Sequence, residues 1–235
     1  MIIREDSAFE KMVVEEQYHI AVPLQITRYA DGKTDYLVYS FCEKMAETFA
    51  GTFSDPFTPE ALAWLENALK PIMTELGYDT EDFGMHIHRE YRIFAMPPET
   101  EASGLVELLS ELTEEDRENG MEVLEEFDLD PDNPDDRMTV IRQDGRIVAL
   151  AAVNDMQEDS VIEITVECDP EYRRRGYGKA CVVALVRYFL NRGMDVKYLC
   201  DEGNEASMAT AESAGFALYS RVLPMVYYRR EETED

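Results

Sequence analysis

The twelve residues from Asp169 to Ala180 combine basic side chains with glycines more densely than any other stretch of the sequence. They read Asp-Pro-Glu-Tyr-Arg-Arg-Arg-Gly-Tyr-Gly-Lys-Ala. They stand between an apolar strand pattern and an amphipathic helical pattern. Glycines let the backbone approach a ligand closely, and the N-terminus of a helix presents unpaired N–H groups and a positive dipole end. Because three arginines and a lysine adjoin that helix end, the segment predicts a pyrophosphate-binding turn.

The sequence of this turn fits poorly to two other known types of phosphate-binding loop. A Walker loop needs G-x-x-x-x-G-K-[ST], but Gly176 and Gly178 are only two residues apart, and Ala180 follows Lys179. A Rossmann fingerprint needs a third glycine where Cys181 stands, and it follows the first strand of its domain. Neither nucleotide-binding loop therefore explains the turn.

The turn resembles the acetyl-coenzyme A (acetyl-CoA) motif of the GNAT acetyltransferase superfamily. That motif has the pattern R-x-x-G-x-G after an apolar strand, and Arg173, Gly176 and Gly178 match it here. The resemblance implies that backbone amides from Arg174 to Lys179 bind the pyrophosphate of acetyl-CoA. The coenzyme-binding residues expected at this turn are Arg173, Arg174, Arg175, Gly176, Tyr177, Gly178 and Lys179.

A second segment strengthens the resemblance, which covers roughly residues 97–235. Asn204-Glu-Ala-Ser207, followed by Gly215-Phe216, is similar to the superfamily motif in which an asparagine and a helix ending in Gly-Phe complete the coenzyme cleft. The resemblance implies that the strand ending at Cys168 diverges from the next strand, with pantetheine in the gap. Contacts to the coenzyme are therefore expected from Cys168, Asn204 and Ser207, and Asn204 can also cap its helix.

The activity that the resemblance implies is direct transfer of an acetyl group from acetyl-CoA to a primary amine. In many relatives a tyrosine seven residues after the motif's asparagine is taken to protonate the leaving thiolate, but Ala211 stands there. The missing tyrosine could be replaced by Tyr219, Tyr227 or Tyr228, and the spacing in the sequence does not choose among them. Tyr219 is the candidate acid. Ala211 also leaves an alternative, a catalytically silent relative that binds acyl-CoA or a protein partner.

A general base is expected on the strand before the turn. Period two places Glu163, Thr165 and Glu167 on one face of this strand, with Ile162 and Ile164 on the other. Glu163 begins a Glu-Ile pair similar to the one that often carries the base in related enzymes, so it is the candidate base. A glutamate that is simply solvated on a strand face is the ordinary alternative.

The net charge of the chain is −28, from 22 basic and 50 acidic side chains. Such a charge repels phosphate backbones, so no nucleic-acid partner is expected. Residues 97–160 hold 4 basic and 20 acidic side chains, a net charge of −16. A cationic small-molecule or peptide amine is therefore the expected acceptor, unless the acidic residues serve solubility alone.

Neither a resident metal nor a membrane partner is expected. His86 and His88 fall on one strand face, but no third ligand is apparent nearby, and the four cysteines form no C-x-x-C pair. Charges interrupt every apolar run well before the ~20 residues that a membrane span needs. The sequence thus predicts a soluble, cytoplasmic protein, and it leaves the oligomeric state open.

Turn signals and hydrophobic periodicity, together with the resemblance, predict an α/β fold with a central splayed β-sheet flanked by helices. We expect a GNAT-like acetyltransferase domain in residues 97–235 and an α+β accessory region in residues 1–96. In the accessory region, residues 18–40 predict a β-hairpin, and Thr58-Pro-Glu predicts the start of a helix that stops at Gly77.

Two further patterns concern the second region. Leu105, Leu108, Leu109 and Leu112 follow the helical i, i+3, i+4, i+7 spacing, and a second helix is expected from Thr113 to Phe127. Residues 216–229 predict a pair of terminal strands.

Overall fold

The computed structural model describes residues 2–4, 20–157 and 161–229. Contacts group the chain into two compact units, Met1–His88 with Ser220–Asp235, and Arg89–Tyr219. The fold is mixed α/β, with largely antiparallel sheet flanked by helices, which confirms the predicted fold class. The division of the chain into domains at residues 96 and 97 stays a prediction.

The described residues of the first unit form two α-helices and five strands. The helices are α1 (Glu43–Thr52) and α2 (Pro59–Glu75), and the strands are β1 (Ile2–Arg4), β2 (Ile20–Tyr29), β3 (Thr34–Tyr39), β4 (Tyr78–Met85) and the part of β11 (Ala217–Arg229) that follows Tyr219. β2 and β3 form the predicted antiparallel hairpin, and β1 pairs parallel with β3. β11 pairs antiparallel with both β2 and β4.

The structure corrects one prediction at this end of the chain. Residues 217–229 form one long strand with a register irregularity after Met225, rather than a pair of strands.

Helix α2 begins where the sequence predicts it: the Thr58 hydroxyl accepts a hydrogen bond from the Ala61 amide at 3.2 Å, and Pro59 takes the first helical position.

In the second unit, the residues that the structure describes form three α-helices and six strands. The helices are α3 (Glu114–Asn119), α4 (Tyr177–Leu190) and α5 (Glu205–Ser213), and the strands are β5 (His88–Arg92), β6 (Val106–Leu109), β7 (Met138–Gln143), β8 (Arg146–Gln157), β9 (Val161–Cys168) and β10 (Asp195–Asp201). The strand order is β5, β10, β9, β8, β7, β6. Strands β6 to β9 are antiparallel, whereas β9 and β10 are parallel and are connected through α4.

Helix α4 packs along one face of this sheet. Its side chains at i, i+4 and i+8, Cys181, Leu185 and Phe189, are fully buried, as the helical period requires. Ile162 and Ile164 of β9 lie in the same apolar cluster, so the predicted alternation of faces along β9 is confirmed. Glu163 therefore belongs to the sheet face that points away from α4.

The leucine spacing between residues 105 and 112 misled the sequence analysis. A 3-10 turn at Ser103–Leu105 leads directly into β6, which pairs with β7 at the edge of the sheet. Leu105 and Leu108 are 49% and 48% exposed, so they do not form the buried stripe that a helix would need. The next helix is also shorter than expected, because α3 ends before Gly120 and residues 122–126 form a 3-10 helix.

Within the described part of the chain, the helices do not combine the length and apolar character that crossing a bilayer demands.

Candidate active site

The turn that follows β9 is anchored to the neighbouring strand. The amide of Asp169 donates to the carbonyl of Val148 at 2.9 Å. The carboxylate of Asp169 accepts a hydrogen bond from the Glu171 amide at 2.9 Å and forms an ion pair with Arg146. The turn is thus held at its first residue, before the arginine run begins.

Two residues of the turn adopt left-handed backbone angles. Arg174 has φ 61° and Gly176 has φ 77°. Glycine adopts this region without steric cost, whereas an arginine there is uncommon and strained. Such strain concentrates at binding and catalytic sites, which marks this turn as a functional candidate.

Helix α4 presents its open N-terminus at the same place. Gly176 is the N-cap, and the first helical hydrogen bond runs from the Ala180 amide to the Gly176 carbonyl at 3.0 Å. The amides of Tyr177, Gly178 and Lys179 therefore find no acceptor within the helix. Together with the dipole of the helix, they form a site suited to a phosphate group.

Hydrogen bonds to backbone carbonyls hold two of the cations around this site. Arg173 Nε donates to the Cys168 carbonyl at 3.1 Å, and Arg175 Nη2 donates to the Glu171 carbonyl at 3.1 Å. The Arg175 guanidinium also lies 4.8 Å from the centre of the Tyr172 ring. All three arginines remain exposed, and a bound anion would meet the guanidinium groups of Arg173 and Arg175 already in place.

A cavity of about 750 Å³ opens beside the turn. Its walls come from the turn and α4, from the end of α5 and from the segment before β6. The lining residues include Arg175, Gly176, Lys179, Val183 and Gly215. This volume is within the range of ordinary ligand pockets.

The two parallel strands beside the turn separate part way along their length. Their last register partners are Ile164 of β9 and Tyr198 of β10. Among the described residues, β9 continues to Cys168 and β10 to Asp201 without further partners between them. Cys168 is half-buried at the end of the gap that the sequence analysis expected.

The second predicted motif lies at the start of α5. Asn204 Oδ1 accepts a hydrogen bond from the Ser207 amide at 3.0 Å, so Asn204 caps the helix. The hydroxyl of Ser207 lies 2.7 Å from that of Tyr198, a contact that sequence reasoning missed. Ala211, one turn further along α5, is fully buried.

The candidate base has two partners. Lys197 Nζ lies 2.7 Å from Glu163 Oε2, and Asn154 Nδ2 donates to Glu163 Oε1 at 2.8 Å. Asn154 is the extra residue at a register shift in β8, which turns its side chain toward β9. Lys197 was missed by the sequence analysis, although a lysine inside the apolar run Val-Lys-Tyr-Leu-Cys could have signalled it.

The candidate acids have different surroundings. Tyr219 is 38% exposed, and the Arg92 guanidinium lies 5.2 Å from its ring centre. Tyr227 belongs to the first unit, where it is buried and stacks on Phe83 with 5.4 Å between ring centres. Burial raises the pKa of Tyr227, and Tyr228 is exposed. The roles of Tyr219 and Glu163 stay predictions.

Of the two histidines considered above as possible metal ligands, His86 and His88, the first is exposed. Residues 2–4, 20–157 and 161–229 contain no group of three or more His, Cys, Asp or Glu side chains arranged to hold a metal ion.

Comparison with solved structures shows which fold this is. A GNAT-family protein from Novosphingobium aromaticivorans is 16% identical with a TM-score of 0.50, over 63% of this chain and 68% of that one. A GNAT-family acetyltransferase from Colwellia psychrerythraea is 11% identical with a TM-score of 0.50, over 89% and 82%. A Drosophila protein is 14% identical with a TM-score of 0.50, over 69% of this chain, which spans 56% of that protein. At these identities the likeness shows the fold alone.

The sequence comparisons add the family. No curated protein matches the chain. The model of the Acetyltransferase (GNAT) family matches residues 103–216. This range includes β9, α4, β10, α5 and the turn from Arg173 to Lys179, called here the arginine turn. Residues 103–216 therefore carry the sequence of the GNAT family, a family of acyl-CoA-dependent acetyltransferases.

Proposed function

We propose that the protein is an acetyl-CoA-dependent N-acetyltransferase that moves an acetyl group directly to a primary amine on a cationic small molecule or peptide. The observation that carries this proposal is the turn at Arg174 and Gly176. There a left-handed backbone, an open helix N-terminus and clustered cations adjoin the gap between β9 and β10.

The described residues fit acetyl-CoA. Its pyrophosphate would lie on the amides of Tyr177, Gly178 and Lys179, because these have no acceptor in the helix. Charge would come from the side chains of Arg173, Arg174, Arg175 and Lys179. The pantetheine arm would follow the gap beside Cys168 and approach Asn204 and Ser207.

Glu163 is proposed to accept the proton that the attacking amine loses. One of its oxygens forms an ion pair with Lys197 and the other accepts a hydrogen bond from Asn154, and these contacts fix the orientation of the carboxylate. Each carboxylate oxygen has a second lone pair, so these bonds leave capacity to accept a proton directly or through a water.

The charge of residues 97–160 supports a cationic acceptor. Twenty acidic and four basic side chains in this segment should raise the local concentration of cationic amines and lower that of anionic ones. The cytoplasm is the proposed compartment, because Cys42, Cys181 and Cys200 are buried thiols, as in proteins kept reduced.

A second candidate function is a catalytically silent acyl-CoA-binding module. Ala211, where relatives often carry tyrosine, favours this alternative, as does the ion pair that occupies Glu163. Such a protein would bind acetyl-CoA but would not turn it over.

The experiment that separates the two candidates measures thiol release from acetyl-CoA in the presence of small amines, polyamines, aminoglycosides and lysine-rich peptides. We expect release with at least one cationic amine, accompanied by the acetylated amine in the mass spectrum. Coenzyme binding by calorimetry without release for any amine would contradict the proposed transfer and would support the silent module.

A further inference from the structure

Tyr198 stands where the two parallel strands separate. It is the last residue of β10 with a register partner in β9. Its side chain is 2% exposed and lies in the apolar cluster that packs against α4, with the Phe216 ring edge-on at 5.8 Å. The ring is thus held by packing at the level where the proposed pantetheine gap begins.

The hydroxyl of Tyr198 leaves this cluster toward α5. It lies 2.7 Å from the hydroxyl of Ser207, which is only half-buried and whose amide is bound by Asn204. Glu167 of β9 and Cys200 of β10, both beyond the point of separation, act electrostatically on the phenol. The phenol hydroxyl therefore adjoins Ser207, one of the residues that are expected to contact the coenzyme.

The contact of Tyr198 with Ser207 suggests which residue could replace the general acid that relatives carry at position 211. Ser207 and Ala211 are four residues apart, so they share one face of α5. The family-type tyrosine at position 211 is replaced by a buried alanine. A tyrosine from β10 instead brings a hydroxyl to the same helix face, one turn earlier.

The surroundings also fix the protonation state of this hydroxyl. Burial raises the pKa of Tyr198 to about 12. The phenol is therefore neutral across the physiological range and acts as a hydrogen-bond donor toward a developing negative charge.

We propose that Tyr198, oriented by Ser207, donates its hydroxyl proton to the sulfur of acetyl-CoA as the acyl–sulfur bond breaks. This inference rests on the proposed function. The amine nitrogen forms a bond to the acetyl carbon, and the electron pair of the broken carbon–sulfur bond stays on sulfur. Sulfur takes the phenol proton, and Glu163 takes the one proton that the amine loses. Solvent then returns a proton to the phenolate through the Ser207 hydroxyl, and Glu163 releases its proton to solvent, so the protons balance. The products are an amide and CoA with a neutral thiol.

The first test titrates the thiol of CoA bound to the protein, followed by its thiolate absorbance in the ultraviolet. Tyr198→Phe removes the hydroxyl and keeps the ring. A donor at the sulfur stabilises the thiolate, so the bound thiol should ionise at higher pH in Tyr198→Phe than in the wild type. The same titration midpoint in both proteins overturns the inference and leaves the proposed function intact. A wild-type protein that fails to bind CoA contradicts both.

The second test measures turnover with an acceptor amine. We expect Tyr198→Phe to lower kcat by about 10²-fold or more with little change in the KM for acetyl-CoA. The control is Tyr188→Phe, which removes a hydroxyl that donates to the Pro134 carbonyl at 2.8 Å, and its kcat should stay within about twofold of wild type. Wild-type kcat in Tyr198→Phe, or a loss confined to coenzyme affinity and melting temperature, overturns the inference.

Discussion

Lys197 and Glu163 are register partners on the parallel strands β10 and β9, and Lys197 Nζ lies 2.7 Å from Glu163 Oε2. The two side chains are only 8% and 12% exposed. The next pair along, Ile164 with Tyr198, is the last before the strands separate. A nearly buried ion pair thus closes the base of the gap in which the coenzyme is proposed to lie.

Removing one member of this pair should be costly. Lys197→Met leaves the Glu163 carboxylate buried without its cation, and breaking a buried pair in this way typically costs about 3–5 kcal/mol of folding free energy. Urea unfolding at neutral pH measures the loss. The matched control is the double variant Lys197→Met with Glu163→Gln, which has no unpaired charge and should be more stable than the single variant. A single variant within about 1 kcal/mol of wild type would show that the pair is effectively solvated.

The role proposed for Glu163 makes a separate prediction. Glu163→Gln should lower kcat by about 10²–10⁴-fold, because the amide cannot accept the amine proton, while coenzyme affinity stays close to wild type. Steady-state kinetics and calorimetry measure the two quantities. Glu75→Gln, an exposed glutamate at the end of α2 in the first unit, is the control and should keep its turnover. Full turnover of Glu163→Gln across the pH range would remove Glu163 from the mechanism.

The pH dependence of stability can be checked at Asp116. Its carboxylate is nearly buried, closes the capping box with Thr113 and pairs with Arg142. The hydrogen bond from Arg142 holds the pKa of Asp116 below its ordinary value of 3.8. A lowered pKa in the folded state means that the stabilisation is present above about pH 3.8 and is lost as the pH falls through the folded-state pKa.

Asp116→Asn should therefore be less stable than wild type by about 1.5–3 kcal/mol near neutral pH, the usual range for hydrogen bonds to charged groups. The difference should shrink below about pH 3.8. Urea unfolding of both proteins at pH 7 and pH 3 tests this, and a difference that is the same at both pH values contradicts the assignment.

The sequence predicted the arginine turn, the helix caps and the alternation along β9 because each depends on neighbouring residues. It did not predict the contact of Glu163 with Lys197, because that contact depends on the register of two strands that are more than thirty residues apart in the chain. It also did not predict the contact of Tyr198 with Ser207, because that contact depends on how helix α5 packs against β10. The leucines near Leu108 were misassigned for a related reason: pairing with β7 at the sheet edge overrides helical spacing.

The proposed effect of the acidic segment can be measured with matched amines. If residues 97–160 select the acceptor, raising the salt concentration should lower kcat/KM for a cationic amine more than for a neutral one. Charges are screened beyond ~8 Å at physiological ionic strength, and the distance shortens further at high salt. If the ratio of the two kcat/KM values stays constant between low and high salt, the segment has no part in substrate choice.

The arginine turn offers the most direct test of the account. Gly178→Asp places a side chain and a negative charge where the pyrophosphate of acetyl-CoA should lie. The variant should fold, because a Cβ at this position meets only Val166 Cγ2, at 3.4 Å, and an acidic residue near a helix N-terminus is favourable. The control is Gly51→Asp, which adds the same charge in α1, where a Cβ meets nothing within 4 Å.

The decisive measurement is acetyl-CoA binding by calorimetry to the wild type and to these two variants. The account predicts that the wild type and Gly51→Asp bind with similar affinity, and that Gly178→Asp, folded by circular dichroism, binds at least about tenfold more weakly, a difference of about 1.4 kcal/mol. Equal affinity of Gly178→Asp and the wild type would contradict the placement of the coenzyme at the arginine turn.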